Sequence, residues 1–153
     1  MVAVISYVRG DATNPLGKGP KCIVHIVNDI GKWGKGFVMA LSKKWPNTRK
    51  EYLAWYNTEE FALGKVQVIE VQANIFVVNM VAQHGVGLGS NGPPIRYEAL
   101  EKCLTEVAEA AKSQNWSVHM PRIGCGLAGG KWERVEPIIE QTLKGLHVMV
   151  YDF

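Results

Sequence analysis

The stretch Met120-Pro121-Arg122-Ile123-Gly124-Cys125-Gly126-Leu127-Ala128-Gly129-Gly130-Lys131-Trp132-Glu133 packs four glycines into seven residues and carries no acid before Glu133. Glycine admits positive φ and lets a backbone approach a ligand closely. A strand that opens into such a loop ahead of a helix turns several N–H groups toward one point, which suits a phosphate held by backbone rather than by charge. Two more glycine-rich stretches, near residues 28 and 85, also follow apolar runs. One such loop alone is weak evidence. Three at the carboxyl ends of mostly parallel strands form one crevice.

Several side chains in these loops have chemistry to offer. Asp11, in Arg9-Gly10-Asp11-Ala12-Thr13, can accept a hydrogen bond from a base amine or end a turn, the commoner role of Asp after Gly. Asn28 and Asp29 follow a strongly apolar run. An amide there binds a ribose hydroxyl, orients a water, or pairs with the backbone of its own loop. Gly31-Lys32-Trp33-Gly34-Lys35-Gly36 lacks the Gly-Lys-Ser/Thr ending of a triphosphate loop, which disfavours a nucleoside triphosphatase. Its lysines can simply solvate the loop, and Trp33 reads as a surface anchor or a lid over a sugar. Gln83 cannot transfer protons at neutral pH, so its use is hydrogen bonding to substrate or water. His84 beside it can serve as acid or base, or be merely exposed. Cys125 sits at the approach to a helix, where a thiol pKa can fall, but no histidine is near it in sequence and a small packing role is the simpler one. Arg122 is either a phosphate ligand or a buried cation paired with a carboxylate. Tyr151 can stack on a base or pack at a sheet edge.

The elements that position these loops follow from apolar periodicity. Strands are expected over Ala3–Val8, Lys21–Val27, Lys65–Val71, Ile75–Val81, Trp116–Met120 and His147–Tyr151, with a tight turn at Gln72-Ala73-Asn74. A helix is expected from Phe37 to Trp45, stopped by Pro46, and another to Tyr56 capped by Asn47, with Tyr52 and Trp55 facing inward. Arg96–Gln114 carries an apolar stripe of Leu100, Leu104, Val107, Ala108 and Ala111, and Val135–Leu143 reads as a helix with Pro137 tolerated near its start. The result is a mixed α/β chain of about six strands and four helices, with no linker and no repeat.

Bulk properties narrow the classes. The 153 residues suffice for one domain, 1–153, with a real core. A net charge of +3 without a Lys/Arg block mildly favours anionic ligands and gives no nucleic-acid signature. The three cysteines lack zinc spacing and point to a reduced compartment. The N-terminus reads as a strand rather than a signal peptide. No apolar run reaches the roughly 20 residues of a membrane span. A cytoplasmic monomer without cofactor or metal is expected.

At the three loops the sequence resembles the macrodomain family, the ADP-ribose-binding module, over nearly the whole chain. The match runs through Val8-Arg9-Gly10-Asp11, Val24-His25-Ile26-Val27-Asn28 and Met120-Pro121-Arg122-Ile123-Gly124-Cys125-Gly126-Leu127. The last string is quite specific. It is similar to the branch typified by the terminal ADP-ribose protein glycohydrolases, which remove ADP-ribose from acidic side chains. The antitoxin DNA ADP-ribosyl glycohydrolases and the ADP-ribose 1″-phosphate phosphatases look like more distant relatives. The resemblance implies a three-layer α/β/α macrodomain with a mixed central sheet. It also implies that Asp11 and the Ala12 N–H hold adenine, with Tyr151 against the ring. Gly34, Lys35, Gly36 and Phe37 would wrap the pyrophosphate and distal ribose. Ile123, Gly124, Cys125, Gly126 and Leu127 would face the phosphates, and Asn28 would sit near the distal ribose.

The departures carry equal weight. The branch's catalytic lysine corresponds to Ala82 or Gln83, depending on gap placement, and its catalytic aspartate to Ala128. Neither Ala82 nor Gln83 can form a Schiff base with an opened ribose. The loop 84–94 is longer than in that branch, and the glycine-rich diphosphate loop of other hydrolytic macrodomains is not reproduced. The expectation is a metal-independent ADP-ribosyl hydrolase acting on ester-linked ADP-ribose through a bound water, with Gln83 and Asn28 positioning that water or the ribose. The alternatives are a non-catalytic ADP-ribose reader and an ADP-ribose 1″-phosphate phosphatase.

Overall fold

A computed structural model describes residues 3–86, 94–126 and 128–153. The chain runs β1 (Val4–Arg9), β2 (Lys21–Asn28), α1 (Phe37–Lys44), α2 (Asn47–Tyr56), β3 (Val66–Gln72), β4 (Ile75–Gln83), α3 (Tyr97–Gln114), β5 (Ser117–Met120), α4 (Trp132–Thr142) and β6 (His147–Asp152). The sheet order is β1-β6-β5-β2-β4-β3. Neighbours are parallel except β3, which pairs antiparallel with β4.

The continuous apolar character of β2 and β4 reflects burial on both faces. Alternation sends Cys22, Val24, Val78 and Met80 toward α3 and α4, where Leu100, Leu104, Val107, Val135 and Ile139 meet them. It sends Ile23, Val27, Val77 and Val81 the other way, against Leu41 of α1 and Tyr52 of α2. Two cores on either side of one sheet make the three-layer α/β/α arrangement that the resemblance implied. The parallel strands put the loops after β2, β4 and β5 at one edge.

Local details depart from expectation in three places. Asn47 is the first residue of α2 and makes no capping bond. Thr48 instead donates its hydroxyl to the Trp45 carbonyl at 2.8 Å. Of the two aromatic residues expected to face inward, Tyr52 is fully buried, while Trp55 is half-buried and meets Phe61 edge-on. Helix α4 starts three residues early, because Lys131 accepts the N–H groups of Arg134 and Val135 at 2.9 and 3.1 Å. Pro137 therefore lies in the second turn, where its missing N–H removes one i→i−4 bond.

Candidate functional site

Three chambers join along the sheet edge where β2, β4 and β5 end. The broadest, about 770 Å³, is lined by Asp11, Ala12, Phe37, Lys44, Pro121 and Tyr151 among others. A central one of about 250 Å³ lies between Lys35–Val38 and Pro121–Gly124, with His25, Gln83, Gly126 and Ala128. The far one, about 380 Å³, is walled by Asn28, Lys32, Trp33, Lys35 and Gln83. Gly36, Phe37 and Pro121 are common to the broad and central chambers, and Lys35, Val38 and Gln83 to the central and far ones. The three are one cleft.

Asp11 keeps its turn role, since its Oδ1 accepts the Thr13 N–H and hydroxyl, both at 2.8 Å. It also stands at the mouth of the broad chamber. Tyr151 is fixed from behind: its hydroxyl accepts the Leu16 N–H at 2.8 Å and lies 2.7 Å from Nδ1 of the buried His119. Its ring presents little face to the cleft, so it walls the chamber more than it offers a stacking platform. A carboxylate beside an apolar, aromatic wall suits a base with an exocyclic amine.

The lining of the central chamber suits an anion. Gly36, at φ 82, precedes α1 with no side-chain cap, so the helix begins beside the chamber with its first N–H groups uncapped by a side chain. Opposite, the Gly124 loop is closed by the bond from Gly130 N–H to the Gly124 carbonyl at 2.6 Å. The loop's turns use the N–H groups of Ile123 and Cys125, whereas those of Gly124 and Gly126 have no partner among the described residues. The backbone donors on that wall are therefore fewer than the sequence suggested. Leu127, expected to join them, lies outside the described residues. Lys35 and Arg122 line the chamber, and among the described residues lining the central and far chambers there is no carboxylate.

Arg122 is neither buried nor free to follow a phosphate. Its Nε and Nη2 donate to the two Asp152 oxygens at 2.8 and 2.9 Å, and the guanidinium lies 4.8 and 5.0 Å from the Tyr7 and Trp132 ring centres. The Trp132 indole donates to the Tyr7 hydroxyl at 3.1 Å, and that hydroxyl donates to Glu136. The plane and fork of an arginine make this clamp, which ties the loop after β5 to β1, β6 and α4. Arg122→Lys keeps the charge and loses the fork. We expect it to weaken ligand affinity in the adjoining chamber about tenfold, or 1.4 kcal/mol, with faster amide exchange at Ile123–Gly126. Calorimetric titration and hydrogen exchange check this.

A bulge decides what faces the far chamber. Val27 pairs with Val81, but the next pair is Asn28 with Gln83, so Ala82 is skipped. Ala82 is fully buried against α3, and Gln83 turns to the cleft beside Asn28. Of the two residues, Gln83 is therefore the one that faces the cleft. Its Nε2 donates to the Gly85 carbonyl at 2.9 Å, which leaves the amide oxygen as its acceptor. The Asn28 amide is engaged by its own loop. Its oxygen accepts from Ile30 N–H and Lys32 N–H, each at 3.1 Å, and from the Tyr52 hydroxyl at 2.9 Å, while its nitrogen donates to the Lys32 carbonyl. Asn28 shapes the wall more than it reaches for ligand.

Trp33 is no surface lid. It is buried, donates its indole N–H to the Val38 carbonyl at 3.0 Å, and packs on Tyr52. Asp29 accepts from His84 Nδ1 at 2.7 Å and from the Gly85 N–H at 2.8 Å, which ties the loops after β2 and β4 together. Burial raises the Cys125 thiol pKa against the opposing pull of Arg122, which argues against a resting thiolate nucleophile. Sequence reasoning passed over His25, Asn79 and His119 as functional side chains. Their signal was available: each is a polar residue inside an apolar strand, and all three are buried.

The Macro domain family model matches residues 24–139. A Bacteroides thetaiotaomicron protein structure aligns with TM-score 0.95 and 55% identity, over 97% of this chain and 98% of that one. A Streptomyces coelicolor macrodomain structure aligns at TM-score 0.87 and 48% identity, over 97% and 99%. The mouse chromodomain-helicase-DNA-binding protein 1-like is 33% identical over 97% of this chain, which spans 18% of that protein's length. A human ADP-ribose glycohydrolase is 26% identical over 95% of this chain and 88% of its own. An ADP-ribose 1″-phosphate phosphatase of Lodderomyces elongisporus is 25% identical over 96% and 97%. With the family model matched over residues 24–139 and a mixed sheet between two helical layers, the chain belongs to the macro domain family.

Proposed function

We propose that the protein is an ADP-ribosyl hydrolase that releases ADP-ribose from esters with acidic side chains by direct attack of a bound water. Adenine takes the broad chamber, the diphosphate lies between α1 and the Gly124 loop, and the distal ribose runs from the inner end of the central chamber, beside His25 and Gln83, into the far chamber. Gln83 carries the reading: it is shared by the central and far chambers, with its amide nitrogen tied to Gly85 and its oxygen left to accept.

In this reaction water adds to C1″ of the distal ribose as the bond from C1″ to the ester oxygen breaks. The side-chain carboxylate leaves as an anion that is stable at neutral pH, so no general acid is needed. The water's proton passes to solvent, and the Gln83 oxygen orients the attacking O–H. A cleft whose described reaction end lacks a carboxylate is compatible with this leaving group, and far less so with a poor one.

Gln83→Ala is expected to slow release from glutamate-linked ADP-ribosylated protein by about 10- to 100-fold, with ADP-ribose affinity almost unchanged. Unchanged turnover rejects the assignment.

Ala128, which lines the central chamber where the related branch has an acid, also supports a second reading, a non-catalytic ADP-ribose reader. Tight ADP-ribose binding with no release from the ester or from ADP-ribose 1″-phosphate would establish the reader, and release from the phosphate alone would establish a phosphatase.

A further inference from the structure

We infer that His25 is a specificity residue for the distal sugar: its Nδ1 accepts a hydrogen bond from a ribose hydroxyl when ligand fills the cleft. This rests on the ADP-ribose reading of the cleft.

The tautomer follows from its neighbours. Asn79 Nδ2 donates to Gln67 Oε1 at 3.0 Å and to the Thr48 carbonyl at 3.5 Å, so the Asn79 oxygen is the atom turned to His25 Nε2. An amide oxygen only accepts, so Nε2 carries the proton and Nδ1 is a bare acceptor. Among the described residues, Nδ1 is the only buried side-chain nitrogen or oxygen without a partner. Burial lowers the ring's pKa to about 4, against the opposing effect of the Asn79 bond, so the imidazole stays neutral at pH 7.

An orphaned acceptor at this place calls for a donor. The ring is 2% exposed and lines the central chamber, packed against Trp33 and Phe37. Phe37 opens α1 directly after Gly36, walls two chambers and packs on His25, and its ring must shift as ligand enters for Nδ1 to be reached. A diphosphate at neutral pH only accepts and cannot satisfy Nδ1. A sugar hydroxyl can. A ligand that ends at its second phosphate leaves His25 unpaired, whereas one that continues into a ribose pairs it.

Two substitutions separate the ring's two nitrogens. His25→Gln keeps a donor toward Asn79 and removes the Nδ1 acceptor, whereas His25→Asn keeps an acceptor near Nδ1 and gives up the Asn79 bond. Calorimetric titration with ADP and with ADP-ribose should show His25→Gln losing about tenfold in ADP-ribose affinity, with ADP affinity unchanged, and His25→Asn retaining the wild-type preference. In wild-type protein, the ¹⁵N resonance of Nδ1 should move upfield with ADP-ribose and not with ADP. Equal weakening toward both ligands in His25→Gln, or an Nδ1 resonance unmoved by bound ADP-ribose, overturns the inference and leaves the cleft reading standing. Wild-type protein that binds neither ligand rejects both. If the variants fail to fold, the wild-type resonance decides.

Discussion

Gly130→Ala is expected to reduce ADP-ribose affinity by about 100-fold, or 2.7 kcal/mol, while the protein still unfolds cooperatively. A Cβ at this position would lie 2.5 Å from the Gly124 carbonyl oxygen and 3.0 Å from Ile95 Cδ1. The nearer atom is backbone and cannot swing aside. That same carbonyl accepts the Gly130 N–H at 2.6 Å, the bond that closes the loop. The methyl therefore opens the loop, and the Gly124 and Gly126 N–H groups leave the central chamber. Overpacking of this kind costs about 1–3 kcal/mol of stability, which a domain of this size can absorb. Calorimetric titration of the variant against wild type, with thermal unfolding alongside, checks the result. Unchanged affinity would remove the loop from the binding account.

Stability is expected to fall steeply below pH 6.5, well before the carboxylates titrate. Burial holds both His25 and His119 at a pKa of about 4, and nearby Lys21 adds to the lowering at His119. In the unfolded chain a histidine titrates near about 6.5. Between these values the unfolded state binds more protons than the folded one, so stability rises with pH across that window. It is fully present above about 6.5 and drains away as pH falls toward 4. At pH 5 the loss is on the order of 2 kcal/mol per histidine.

The two rings are embedded differently. His25 meets Asn79, and His119 meets Ser117 Oγ at 2.8 Å and the Tyr151 hydroxyl at 2.7 Å. Protonating His119 makes both ring nitrogens donors, so neither Ser117 nor Tyr151 can then donate to the ring. The broad chamber's wall should therefore loosen with the fold. Urea unfolding at pH 7 and pH 5 measures the effect, and His119→Gln should roughly halve the slope. A flat profile across this range would mean that the histidines stay solvated.

Most of the fold was legible because its signals are local. A two-residue period with apolar residues on both faces marks β2 and β4 as central strands, and the stripe from Leu100 to Ala111 marks α3 within a residue of its observed start. The glycine loops that follow strands marked the sheet edge at which the cleft lies. Errors fell where neighbours on the surface cannot be read locally. Asn47 has the chemistry of a cap, yet Trp45, Pro46 and Thr48 set the turn. Trp33 sits in a loop, yet the gap between Tyr52 and His25 buries it.

The sequence by itself determined the alternation of elements, the glycines that shape the cleft and the absence of an acid at Ala128, because backbone freedom and apolar period belong to short stretches of chain. Tertiary structure alone decided which side chains meet. The skipped pairing at Ala82 sets Gln83 beside Asn28. Arg122 finds Asp152 across 30 residues, and His25 finds Asn79 across 54. Such pairs depend on the register between strands distant in sequence, and a one-residue slip would send each side chain to the opposite face.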